Sequence, residues 1–214
     1  MIEFLFQENK AIEAMSYLLS LNGGSMNYMV AIKLLYLADR YMLMHGHISI
    51  TTDSYVAGTG GPVLRNILAR IKEGESKEWN DHIGLNGPCV ELVAPLEEYK
   101  EISEQEREVI ARIYREFRCY KRIELLEYCQ GLKEWRAPHG CFVPIGIDSI
   151  LDVAVPLGSR NEIRRKLGLC AIEQKKQLQF SKRLKRRKKQ EPKLLFNTPP
   201  KPGRDAIHFL TCQN

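Results

Sequence analysis

The residues of this chain whose types could do chemistry are few and scattered. His45 and His47 stand two apart, so on an extended segment both imidazoles would point the same way, as a pair of metal ligands requires. No partner ligands accompany them, and at the end of a helix an imidazole is well suited to the exposed carbonyls instead. Cys129, His139 and Cys141 could supply three zinc ligands, but their spacing fits no structural zinc pattern, and thiols packed as small hydrophobes are the better reading. Thr59-Gly60-Gly61-Pro62 precedes an apolar run whose N–H groups could meet an anion, yet no phosphate-loop lysine follows; a turn that needs positive φ is preferred. Neither Gly-x-Ser-x-Gly nor His-Glu-x-x-His occurs, and no His is paired with Ser or Cys as a base. We therefore expect no enzyme, no catalytic residue, no cofactor and no metal. Asp39 and Arg40 lie inside an apolar stretch, where a carboxylate must find donors or bear a desolvation cost, so a structural ion pair or cap is favoured over a functional contact.

The elements that would position these residues are mostly helical. Ile12, Met15, Leu18 and Leu19 recur at helical spacing over residues 10–21, and Asn22-Gly23-Gly24 supplies a stop. Ser25 can cap a second helix running to about Met44, apolar around much of its circumference and ended by His45-Gly46. Such a helix belongs at the centre of a core. Pro62 suits the first position of a third helix through Ile67, Leu68 and Ile71, closed by Gly74. Alternation around Asn86-Gly87 predicts one small β-hairpin between His82 and Val93. Ser103-Glu104-Gln105-Glu106 is a capping box opening an amphipathic helix to Phe117, followed by a shorter helix around residues 123–128. The stretch from Trp135 to Gly140 reads as an irregular crossing and residues 148–153 as a brief helix; Ser159-Arg160-Asn161-Glu162 is a second capping box whose helix enters the C-terminal region. The expected fold class is mainly α with one small β-hairpin (α+β), a compact helical domain with a basic C-terminal extension.

With 214 residues, 44% hydrophobic and 27% charged, the chain can bury a core without staples, which excludes a disulfide-dependent miniprotein. The six cysteines form no Cys-x-x-Cys pair. No apolar run approaches the roughly 20 residues of a membrane span, and acidic Glu3 stands where a secretory leader would carry a cation, so a cytoplasmic protein is expected. The net charge of +6 divides unevenly. Residues 170–214 carry 12 Lys plus Arg against 3 Asp plus Glu, a net of +9, leaving −3 for residues 1–169. A boundary is accordingly placed between a helical domain, 1–169, and a basic, Pro-containing extension, 170–214. Within the extension Lys182, Arg183, Lys185, Arg186, Arg187, Lys188 and Lys189 form one cationic block, and the prolines from Pro192 onward favour an extended, poorly packed segment. Leu194-Leu195-Phe196 and Ile207-His208-Phe209-Leu210 read as short apolar anchors that fold on binding.

Lys33-Leu34-Leu35-Tyr36-Leu37-Ala38-Asp39, then Asp53-Ser54-Tyr55-Val56-Ala57, then Gly61-Pro62-Val63, followed by Leu125-Leu126-Glu127-Tyr128 ahead of Trp135, resemble the signature of the SocA-like Panacea domain. This family, formerly a domain of unknown function, is found in bacterial and phage antitoxins, and the resemblance spans roughly residues 10–165. It implies a mainly helical, non-enzymatic module that neutralises a toxin encoded beside it by direct protein contact, in at least one member as an adaptor that delivers the toxin to a protease. It also implies that Lys33, Leu34, Tyr36, Asp39, Tyr55, Ala57, Gly61, Pro62, Val63 and Trp135 are motif residues, either structural or toxin-binding. Gly58-Thr59-Gly60 and Cys129 depart from the family pattern. Two other functions stand beside the antitoxin: a nucleic-acid-binding regulator using the basic tail, and a phage or mobile-element accessory protein binding a host protein.

Overall fold

The computed structural model describes residues 2–190, with side-chain surroundings through 183. Eight helices and six short strands follow one another within that range: α1 (Glu8–Leu21), β1 (Ser25–Asn27), α2 (Tyr28–Met44), β2 (Tyr55–Gly58), β3 (Gly61–Leu64), α3 (Arg65–Glu73), α4 (Lys77–Asn80), β4 (Ile83–Asn86), β5 (Cys89–Leu92), α5 (Glu104–Phe117), α6 (Arg122–Gln130), β6 (Val143–Ile145), α7 (Ile147–Ala154) and α8 (Leu157–Gln190). The expected class holds: the described residues are mostly helical, with two small antiparallel sheets of three strands each.

Helix α2 is the centre. Eleven of its 17 residues are buried, as its nearly all-round apolar sequence requires, and it packs against α1, α5, α6, α7 and β3. Its cap differs from the expected one. Asn27 accepts from the N–H groups of Met29 (3.1 Å) and Val30 (3.4 Å), whereas Ser25 lies in β1 opposite Glu91. The apolar spacing could not separate the two because β1 runs directly into α2.

The β content is larger than the single hairpin expected. The predicted hairpin is present as β4 and β5, joined by Gly87-Pro88 with Asn86 opposite Cys89, and β1 extends it to a sheet of order β1-β5-β4. A second sheet, β3-β2-β6, is built around the segment expected to open the third helix. Gly58 pairs with Gly61 across the two-residue loop Thr59-Gly60, and Pro62 lies in β3 opposite Ala57 rather than at a helix start. Only after Leu64 does α3 begin, ending at left-handed Gly74 (φ 62°) as expected. Gly61 has φ +101°, a backbone that L side chains rarely adopt, and an added Cβ would lie 2.8 Å from the Cys129 Cβ of α6. The Gly-Gly-Pro sequence is thus a tight hairpin pressed against α6, not an anion-binding helix terminus.

The Ser103–Glu106 capping box is formed, and Glu106 also pairs with Lys10 at 2.6 Å, tying α5 to α1. Buried Glu13 of α1 accepts from the N–H groups of Lys100, Glu101 and Ile102 at 2.8–3.0 Å and so anchors the approach to α5. The second capping box is not used. Pro156 follows extended Val155, and the Ser159 N–H already bonds to the Pro156 carbonyl at 3.1 Å, so Ser159 sits inside the first turn of α8.

The described residues divide at Leu178, with residues 2–178 forming one compact unit and residues 179–190 lying in a second. In the first, α8 passes residue 170 unbroken; Leu167 and Ala171 are buried, and the Gln174 amide brackets Leu5, accepting from its N–H at 2.8 Å and donating to its carbonyl at 3.2 Å. In the second, residues 179–190 are helical, so Lys182, Arg183, Lys185, Arg186, Arg187, Lys188 and Lys189 lie on the helix that was expected to enter the C-terminal region. Lys, Arg, Gln and Leu are good helix formers, which outweighs their mutual repulsion locally. The proline-rich stretch and both apolar anchors fall outside the described residues.

Gly61→Ala is expected to destabilise the chain by about 1–3 kcal/mol, because both the positive φ and the contact with Cys129 oppose a Cβ. Urea denaturation of the variant against the wild type measures this.

Candidate functional site

The motif residues converge where α2 faces the β2–β3 hairpin and the segment after α6. Lys33, Tyr36, Asp39 and Arg40 leave α2 within two turns, three of them buried, so each must be satisfied from elsewhere in the fold. The Lys33 ammonium donates to the Pro62 carbonyl at 2.5 Å. Burial lowers its pKa to about 8, with the neighbouring Cys129 opposing the shift. Burial likewise pushes the Cys129 thiol up to about 11, against the pull of Lys33.

Asp39 and Arg40 are adjacent in sequence but have different partners. The Asp39 carboxylate accepts from the Thr51 N–H (2.9 Å), the Thr51 hydroxyl and the Tyr55 hydroxyl (3.2 Å). Burial dominates over these bonds and raises its pKa from 3.8 to about 7. Arg40 turns the other way, its Nε donating to Glu134 at 2.6 Å and its Nη2 at 3.4 Å. The same Glu134 accepts from the Tyr36 hydroxyl at 3.0 Å. Burial, then the charge of Glu134, holds the Tyr36 phenol well above its ordinary value. Tyr36 and Tyr55 meet edge to face with centroids 5.4 Å apart, joining the two halves of the network. The two charges thus take structural partners, as expected, in two separate arrangements, because neighbours on a helix point about 100° apart.

Asp53 is the counterpart on the loop before β2. Its Oδ1 accepts from the N–H groups of Ser54 (2.6 Å) and Asn66 (2.9 Å) and from the Asn66 side-chain amide (2.7 Å); its Oδ2 accepts from the Ile67 N–H at 2.9 Å. Leu64, at the start of α3, makes no side-chain cap, so the carboxylate of Asp53, 11 residues upstream, does that work. Trp135 donates to the Gly58 carbonyl at 2.9 Å and Gln130 to the Thr59 carbonyl at 2.8 Å, fastening the hairpin from the opposite side. Leu34 in α2, Ala57 in β2 and Val63 in β3 are buried apolar packing.

Sequence reasoning missed Glu134, Thr51 and the role of Asp53. Glu134 had no signal beyond its place next to Trp135, and Thr51 none at all. Asp53 stood in the motif, but its capping role depends on β2 and β3 folding back. The other candidates disperse. His45 stacks on Tyr41 at 4.2 Å and its Nδ1 lies 2.7 Å from the Tyr41 carbonyl, the helix-end role expected for it. Cys129 is buried under the hairpin, whereas His139 and Cys141 are exposed on the crossing. Among the described residues, no three His, Cys, Asp or Glu side chains gather to hold a metal ion, and no helix is long and apolar enough to cross a membrane.

Every charged group in this centre thus holds one element against another, which defines a polar framework inside a helical core. Residues 32–136 match the family model described as Antitoxin SocA-like, Panacea domain. The matched segment lies within the 10–165 range of the resemblance and contains all ten motif positions, Lys33 to Trp135, together with Cys129. No curated protein and no solved structure matches the chain.

Asp39→Ala should cost about 1–3 kcal/mol, since three donors lose their acceptor. Asp39→Asn tests the charge. A carboxyl whose folded pKa is raised binds protons more tightly when folded, so its contribution to stability is present at low pH and is lost as pH rises through about 7. Urea midpoints of the wild type should therefore fall more between about pH 5 and about pH 8 than those of Asp39→Asn; parallel curves would contradict the assignment.

Proposed function

We propose that this chain is an antitoxin that neutralises a cognate toxin by direct protein–protein binding, without enzymatic activity of its own and in the cytoplasm. The observation that carries the reading is the match of residues 32–136 to the SocA-like antitoxin domain. The geometry supports it: the motif residues Lys33, Tyr36, Asp39, Tyr55, Gly61, Pro62 and Trp135 are consumed in stabilising α2 and the hairpin, so toxin recognition falls to the surface that this framework supports. Co-expression with the product of the adjacent open reading frame should rescue growth that this product alone arrests, and the two proteins should co-purify. A neighbouring product that is toxic and is neither bound nor neutralised would refute the reading.

The basic extension, residues 170–214, is proposed as a second contact, to the toxin or to nucleic acid, and delivery of the toxin to a protease is a further role open to it. The cationic block at 182–189 favours an acidic surface or phosphates. Because Ala171 and Gln174 belong to the first unit, deletion should begin after Leu178. Removing residues 179–214 is expected to leave a folded chain with weakened partner binding. If the extension binds nucleic acid, electrophoretic mobility shift should show affinity falling steeply with salt in the full chain and absent in the truncated one.

A further inference from the structure

The cleft between the segment after α6 and the β6–α7 region has two walls of different character and encloses about 290 Å³. On one wall stand Lys133 and Arg136, neither of which meets a carboxylate among the described residues. On the other stand Val143, Pro144 and Val153; Val143 is 48% and Val153 38% exposed. Phe142, next along the chain, is 57% exposed. The acids bordering the cleft are already neutralised. Glu134 is buried and held by Arg40 and Tyr36, and Asp152 meets Arg160 at 3.2 Å and Arg164 at 2.6 Å. These two cations therefore set the local field, beside apolar surface that no described residue covers.

We propose that this cleft docks the toxin through a segment that is apolar at its centre and acidic at its flank, with the apolar side chains on Val143 and Val153 and the carboxylates on Lys133 and Arg136. The proposal rests on the antitoxin reading. Charge complementarity selects the occupant: a basic or phosphate-free apolar segment would leave Lys133 and Arg136 desolvated without partners, and a nucleic acid would leave the valines unused. Strand β6 is an edge of its sheet, but Pro144 in its middle has no N–H to donate, which disfavours capture of an added strand and leaves side-chain contacts to do the binding.

The test uses the full chain and, as probe, the adjacent-gene product that the wild type neutralises. Lys133→Glu/Arg136→Glu and Val153→Asp should each weaken binding in calorimetry by about tenfold or more, while Leu85→Asp, on the exposed edge strand β4 of the other sheet, should not. All four positions are exposed, so melting temperatures should stay near wild type. Should the reversal variant melt lower, Lys133→Gln/Arg136→Gln removes the charges alone and is held to the same criterion. Binding of the cleft variants within about twofold of wild type, with neutralisation intact, overturns the cleft and leaves the antitoxin reading standing. A wild type that binds no adjacent-gene product overturns that reading and the proposal with it.

Discussion

A helix buried on nearly every side that carries Lys33, Asp39 and Arg40 obliges the rest of the molecule to answer it. Three charged groups on α2 would each bear a large desolvation cost alone, and the fold meets that cost from three directions: the Pro62 carbonyl on the hairpin, Thr51 and Tyr55 ahead of and within β2, and Glu134 after α6. Each partner belongs to a different stretch of chain, so satisfying α2 is the same event as docking those stretches onto it. Apolar burial alone would tolerate small slides of the hairpin along the helix; hydrogen bonds of fixed reach do not.

The hairpin in turn depends on contacts from both of its faces. Lys33 holds it from α2, Trp135 and Gln130 from beyond, and Gly61 allows α6 to approach closer than any side chain would permit. Asp53 connects this hairpin to α3, since one carboxylate serves the first N–H groups of the helix and the turn before β2 together. The family signature is in this sense a description of one joint, seen from each of the elements that meet there. On the proposed antitoxin reading, recognition falls to surfaces which the joint orients, among them the cleft beyond Glu134.

Much of the helical architecture was legible in the sequence because its signals are local. The Ser103–Glu106 capping box, the Asn22-Gly23-Gly24 stop and Gly74 act within a turn or two of where they stand, and all three do in the structure what their residue types imply. The β2–β3 hairpin was hidden because Thr59-Gly60 is not a strong turn pair and the apolar spacing from Val63 to Ile71 suits a helix throughout; residues 61–64 are a strand only because β2 pairs beside them. Ser159 failed as a cap for a related reason, since Pro156 had already started the helix.

The sequence by itself determined that α2 would be central, that the chain would be mainly helical, and that its positive charge would be concentrated after residue 170, because periodicity, capping and composition are properties of contiguous residues. Only the tertiary structure decided which partner each buried charge would take. Arg40 finds Glu134, 94 positions away, and Asp39 finds Thr51 and Tyr55. That a carboxylate and a guanidinium on an apolar helix need partners is plain from the sequence, but on a helix the two diverge, and the partners that satisfy them are chosen by whatever the folded chain brings within about 3 Å.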